Sequence, residues 1–79
     1  MIEIKHKETG KVLEKIDADS LVGADLRDMQ LSGADLRSMD LTGANLEFSD
    51  LVEADLSGSI LRNALLWNAH LNRANLMNA

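Results

Sequence analysis

The residues that could do chemistry in this chain are thirteen acids and two histidines. Carboxylates and imidazoles act as general acids and bases or hold metals. The chain has no Cys and no Tyr, however, and neither His6 nor His70 lies in a motif that would link it to a nucleophile. The two histidines do not have the spacing of a zinc site, and the sequence has no P-loop or GxGxxG pattern. We therefore expect no enzymatic activity and no catalytic, cofactor-binding or metal-binding residue.

The structure that positions these residues is indicated by the leucines, which recur at every fifth position from 21 to 76. Most are preceded, two residues earlier, by Ala, Ser or Met, and seven of the twelve follow directly on Asp or Asn. We expect the first ten to form a core ladder, with Leu71 and Leu76 continuing its register. The ladder is Leu21, Leu26, Leu31, Leu36, Leu41, Leu46, Leu51, Leu56, Leu61 and Leu66.

A period of five fits neither regular structure. On an α-helix, five residues advance about 500°, so twelve leucines would scatter around the axis. On a flat strand, successive leucines would point to opposite faces. A chain that turns a corner every five residues places each leucine inward from the middle of a short side. Gly23, Gly33, Gly43 and Gly58 would then lie at corners.

The segments "GADLR", "GANLE", "EADLS" and "RANLM" resemble the A-(D/N)-L-x-x motif of the pentapeptide-repeat family. The resemblance covers residues 17–79. It implies an all-β fold, a right-handed quadrilateral β-helix with four five-residue sides per coil, and thus about three coils here. With a spacing of about 4.8 Å between coils, the repeat region would be about 15 Å tall.

Residues 1–16 lie outside the repeat and predict an N-terminal β-hairpin cap. "IEIKHK" and "VLEKI" alternate like strands around "ETGK", where Gly10 supplies a positive φ. A cap would cover the apolar cross-section of the first coil. We expect Ile2, Ile4, Ile16 and either Val12 or Leu13 to lie over that coil.

The last residues, "LNRANLMNA", are still in repeat register. Three explanations are open: the last coil faces a second copy of the chain, it tolerates exposure in a monomer, or the chain is a fragment of a longer protein. The first explanation is the one that we favour, because apolar residues replace the usual Asp or Asn at positions 60 and 65. The predicted homodimer interface comprises Phe48, Ile60, Leu65, Trp67, Leu71, Leu76 and Met77.

Stacking of 20-residue coils predicts outward columns, such as Arg27 with Glu47 and Trp67, and Asp50 with His70. Negative charge is concentrated in the middle of the chain. Residues 17–56 carry ten acids and two arginines, whereas no acid follows Asp55. Pairing two copies through the last coil would keep the acidic coils apart.

Two functional hypotheses follow. The first is a structural or protein-interaction solenoid with a protein partner that the sequence does not identify. The alternative comes from the resemblance: some family members resemble B-DNA and bind bacterial type II topoisomerases such as gyrase. A rod of about 15 Å spans under half of the roughly 34 Å turn of B-DNA. A net charge of −5 disfavours direct nucleic-acid binding. Without an apolar run of membrane-spanning length or a signal peptide, we expect a cytoplasmic location. The family resemblance implies a bacterial source.

Overall fold

The computed structural model describes all 79 residues and contains strands, bridges and turns but no helix. The predicted all-β character is confirmed. Strand β1 (Ile2–Lys5) pairs antiparallel with strand β2 (Val12–Ile16), and the register shifts between Ile4 and Lys5. The rest of the chain forms isolated bridges separated by turns.

Parallel bridges join residues that lie 20 positions apart, and they fall into four columns. The first column contains Asp25, Asn45 and Leu65; the second contains Gln30, Asp50 and His70. The third contains Asp35, Asp55 and Asn75, and the fourth contains Asp40 and Ile60. We refer to residues 21–40, 41–60 and 61–79 as the first, second and third segments. Each segment therefore lies directly against the next, and equivalent residues are neighbours.

The chain turns two residues after each of the twelve leucines from Leu21 to Leu76, and the residue at each turn has a positive φ. Four of these twelve corners are the expected glycines, and the other eight are residues such as Asp28 and Phe48 with φ between 57° and 61°. The next residue donates its N–H to the leucine carbonyl in every turn except the one at Met29. The left-handed conformation is thus imposed by the repeat even where the residue type does not favour it.

The interior is a stack of leucines with small residues at their sides. Ladder leucines from Leu21 to Leu56 are at most 2% exposed, and Ala34, Ala44, Ala54 and Ser49 are buried with them. Leu61 and Leu66, which we expected in the core ladder, are only half-buried, although both pack against the core. The physical reason is that each segment covers the leucines of the one before it, and no segment covers the third.

The hairpin covers the other end of the leucine stack. Ile4 is fully buried, and Ile2, Leu13 and Ile16 pack against the core. Val12 is half-buried but does not join these contacts, so Leu13 is the residue that takes the predicted position. Gly10 has the expected positive φ of 75°.

Backbone hydrogen bonds attach the hairpin to the third bridge column. Lys7 N donates to the Gly33 carbonyl over 2.9 Å, and Asp35 N donates to the Lys5 carbonyl over 2.8 Å. His6 pairs antiparallel with Ala34. The hairpin therefore occupies the place that a preceding segment would take in this column.

Candidate functional site

Five of the ten acids in residues 17–79 hold a turn together. At seven of the twelve positions directly before a leucine of the register, a side-chain Oδ1 accepts the backbone N–H two residues later, over 3.0 to 3.2 Å. This bond satisfies a donor at the start of the turn and is the usual local role of Asp and Asn. The acceptors are Asp25, Asp35, Asp40, Asn45, Asp50, Asp55 and Asn75. The seven positions that the sequence singled out by residue type are thus structural.

Several of these carboxylates are also stabilised in their charged form. The Arg27 guanidinium, which donates to both oxygens of Asp25 over 2.9 and 2.8 Å, lowers the pKa of Asp25 to about 2. A hydrogen bond from Arg37 lowers the pKa of Asp35 in the same way. Hydroxyl donors from Thr42 and Ser57 lower the pKa values of Asp40 and Asp55. Because these carboxylates are charged and already bonded, none of them has the properties of a general acid.

A charged cleft of about 530 Å³ lies between β1 and the first segment. Glu3 and Lys5 line it from the strand, and Asp35 and Arg37 line it from the repeat. Arg37 is bonded to Asp35 over 2.8 Å and lies 4.0 Å from Asp55 in the next segment. The charges of the cleft are thus largely paired with one another. Arg37 connects the first segment to Asp55 of the second.

Two positions of the repeat give up the turn hydrogen bond for an exposed apolar side chain. Ile60 and Leu65 stand where Asp or Asn would accept from Arg62 N and Trp67 N, and neither of these N–H groups has a protein acceptor. About half of each apolar side chain is exposed, 51% for Ile60 and 50% for Leu65. A turn hydrogen bond of this kind contributes about 1 kcal/mol, so neither apolar residue is favoured by the stability of its turn.

An aromatic pair lies beside Leu65. The rings of Phe48 and Trp67 meet edge to face with centroids 5.4 Å apart, a favourable arrangement for aromatic side chains. Trp67 is 66% exposed and Phe48 51%. We call Phe48, Leu65 and Trp67 the aromatic patch. A shallow groove beside it is lined by Asp28, Phe48, Asn68, Ala69 and His70.

The seven residues predicted as one interface lie on different surfaces. Phe48, Leu65 and Trp67 form the aromatic patch, whereas Ile60 lies in the fourth bridge column. Leu71 is half-buried, and Leu76 and Met77 are 42% and 68% exposed at the third segment. We call the uncovered side of the third segment, with Leu61, Leu66, Leu71 and Leu76, the end face.

The end face also presents a row of backbone groups that have no protein partner. From Gly23 to Gly58, the N–H groups of ladder and corner residues donate to carbonyls 19 residues later. The equivalent N–H groups of the third segment have no acceptor in the chain. They belong to Leu61, Asn63, Leu66, Asn68, Leu71, Arg73, Leu76 and Asn78. The sequence predicted the apolar exposure here but not this hydrogen-bonding edge, which follows only from the bond pattern between segments.

The structure offers little for other chemistry. It contains no cluster of three or more His, Asp or Glu side chains that could hold a metal ion. Asp50 and His70 are backbone bridge partners, as their column predicts, but their side chains are not hydrogen-bonded to each other. No helix of the structure is of a length and hydropathy that would cross a bilayer.

Comparison with known proteins identifies the repeat. No curated protein matches the chain. A family model described as pentapeptide repeats matches residues 20–58 and 59–79 with eight copies. This match covers most of the chain, and it agrees with the five-residue ladder and the Asp and Asn turn bonds. The chain belongs to the pentapeptide-repeat family.

Proposed function

We propose that this chain is a non-enzymatic protein-interaction solenoid whose end face pairs with a second copy. In this proposal residues 17–79 form a right-handed quadrilateral β-helix of about three coils, and residues 1–16 cap it. Four bridge columns at 20-residue spacing, with a corner after every five residues, support four sides per coil. The family consists in general of structural rather than catalytic proteins, in keeping with this role.

The carrying observation is the hydrogen-bonding edge of the end face. On the two sides of Leu65, Ala64 offers a free carbonyl and Leu66 a free N–H. The same arrangement recurs around His70 and Asn75. One acceptor and one donor flanking a residue are what each strand contributes to an antiparallel bridge. A two-fold axis would therefore let two copies of the edge satisfy each other while the half-buried leucines meet.

The opposite end of the chain limits how copies can associate. Head-to-tail stacking would require the first segment to be free, but the hairpin covers it with Ile4 and with the bonds to Gly33 and Asp35. Of the two ends of the leucine stack, only the end face is uncovered, so end-to-end pairing of two copies is isologous. An isologous contact closes at two copies and does not grow into a filament.

Charge favours the same geometry. The acids of residues 17–56 lie in the first two segments or just before them. Residues 57–79 carry Arg62 and Arg73 and no acid. Contact through the end face therefore brings together the least acidic part of each copy.

The test is the solution mass measured by light scattering after size exclusion. We expect a mass of twice the 8.7 kDa of one chain. Leu76→Asp, at the exposed end of the ladder, is expected to reduce it to that of one chain because it buries a charge in the contact. Val22→Asp is the matched control: Val22 is 49% exposed but lies in the first segment, so the pair should persist. A monomeric parent chain, or equal masses for both variants, would refute the pairing.

The DNA-mimic hypothesis is not favoured by any particular feature of the surface. Five of the ten acids that make the repeat acidic already serve as acceptors in the turn bonds described above. Supercoiling by purified gyrase is the direct check. We expect gyrase to supercoil DNA at its normal rate in the presence of this protein. Inhibition at micromolar protein would favour the DNA-mimic hypothesis over the interaction solenoid.

A further inference from the structure

Each member of the aromatic patch carries a local structural cost. Phe48 has a φ of 61° at a corner where glycine would be unstrained. Leu65 leaves the N–H of Trp67 without the turn acceptor that Asp or Asn supplies at other positions. Trp67 exposes two thirds of its side chain. The repeat imposes a positive φ at every corner, but it does not require an aromatic side chain at position 48 or an apolar one at position 65. Exposed apolar residues of this kind, gathered on adjoining positions, are typical of an interaction surface.

The surroundings of the patch are acidic and lack a free cation. Asp28 lies directly above Phe48, and Glu47 lies directly above Trp67, since Asp28 N bonds to Glu47 O and Phe48 N bonds to Trp67 O. Neither carboxylate has an ion-pair partner within 4.0 Å. The nearest arginine, Arg27, is held by both oxygens of Asp25. The patch therefore combines apolar surface with two carboxylates that no ion pair holds.

We propose that the aromatic patch docks a segment of a partner protein that alternates apolar and basic residues. A guanidinium or ammonium group would lie against the Trp67 ring, where the aromatic face attracts a cation, with the carboxylates of Asp28 and Glu47 beside it. Apolar side chains of the same segment would cover Leu65 and Phe48. An acidic or purely polar segment would satisfy neither the charge nor the apolar area.

This contact is distinct from pairing through the end face. Outward residues such as Trp67 lie on the side of the segments, while the end face consists of ladder leucines and backbone edge groups. A second copy does not suit the patch as occupant, because patch-to-patch contact would bring Asp28 and Glu47 of both copies together. The inference therefore does not depend on the proposed dimer.

The chain supplies its own reporter for the test. Trp67 is the only tryptophan, and there is no tyrosine, so intrinsic fluorescence comes from the patch itself. The probe is a blocked octapeptide of alternating Leu and Arg, titrated into the Leu76→Asp variant so that pairing through the end face does not interfere. We expect a saturable blue shift of Trp67 emission. The Leu–Glu and Gly–Arg counterparts are expected to leave the emission unchanged.

Variants separate docking from folding. Leu65→Asn restores the turn acceptor and is expected to raise the melting temperature while weakening peptide binding about tenfold, since an apolar anchor is lost. Asp28→Asn with Glu47→Gln is expected to weaken binding about fivefold at low salt. Asp55→Asn is the control for removing a carboxylate elsewhere in the repeat: it keeps its turn acceptor, lies two bridge columns away, and should bind like the parent.

Binding of the Leu–Arg peptide that is lost in Leu65→Asn and kept in Asp55→Asn supports the proposal. Equal binding of the Leu–Glu peptide, equal loss in Asp55→Asn, or absence of any Leu–Arg binding up to millimolar peptide would overturn it.

Discussion

Gly33 of the repeat lies against His6 of the hairpin, and replacing it with alanine measures that contact. Gly33 has a φ of 72°, and a Cβ built there would lie 2.4 Å from His6 Nε2 and 2.8 Å from His6 Cδ2. The left-handed backbone costs an alanine about 1–2 kcal/mol. Overpacking against the imidazole adds about 1–3 kcal/mol, because His6 is itself fixed. Its Nδ1 accepts the N–H groups of Glu8 and Thr9.

Gly23→Ala is the matched control for Gly33→Ala. Gly23 has nearly the same φ, 67°, but a Cβ there meets no atom within 4 Å. Gly23→Ala should therefore lose only the backbone term of about 1–2 kcal/mol, and Gly33→Ala about 2–5 kcal/mol. Urea unfolding followed by circular dichroism gives both free energies of unfolding.

The His6 contact is isolated by a double-mutant cycle. In a His6→Ala background the clash is gone, so the cost of Gly33→Ala should fall to that of Gly23→Ala. If Gly33→Ala alone does not fold, the His6→Ala background still allows the free energy of unfolding to be measured with and without Gly33→Ala. Equal costs for the two glycine variants, together with no coupling to His6, would refute the hairpin contact described here.

Three further predictions concern the repeat itself. Ser59 is 2% exposed and its Oγ has no partner, so Ser59→Ala should raise the free energy of unfolding by about 1 kcal/mol; Ser49→Ala, which breaks a 2.7 Å bond to the Leu46 carbonyl, should lower it. The lowered pKa values of Asp25, Asp35, Asp40 and Asp55 favour the folded state above the ordinary pKa of 3.8. Their contribution should be constant above pH 5 and fall as pH drops from about 4 towards the Asp25 value of about 2. Melting temperatures at pH 6, 4 and 2.5 check this, and Asp25→Asn, which keeps a turn acceptor, should flatten the decline; a melting temperature unchanged down to pH 2.5 would contradict it. Ile60→Asp should raise the melting temperature by supplying an acceptor to Arg62 N, whereas Val52→Asp, at a position that accepts no such bond, should not.

The five-residue period was sufficient to predict the interior of the repeat. Leu26 and Leu46 point inward, Gly23 and Gly43 lie at corners, and residues 20 apart are neighbours, because one geometric rule applies at each step. The hairpin was predictable from alternation around Gly10. These features depend on local sequence and on a repeat whose period is visible in the sequence.

Features that depend on distant contacts were not predictable. Nothing in the residue types marks Phe48 or Arg73 as left-handed; the repeat imposes that backbone on them. The choice of Leu13 over Val12 depends on how β2 lies across the first segment. The contact of His6 with Gly33 joins residues far apart in the chain. The role of Asp25 as a turn acceptor did have a local signal, since Asp and Asn two residues before a turn N–H favour this bond.

The turn bonds change how composition should be interpreted in a repeat of this kind. An acidic surface would ordinarily suggest a basic partner or a nucleic-acid mimic, but Asp40 and Asp50 are present because their carboxylates accept N–H groups. The informative positions are therefore those that depart from the rule at a cost to folding. Leu65 gives up a turn bond, Phe48 places an exposed aromatic side chain at a corner, and both lie beside the one tryptophan. Because a solenoid tolerates most outward substitutions that keep the turn, such departures indicate where this chain meets other molecules.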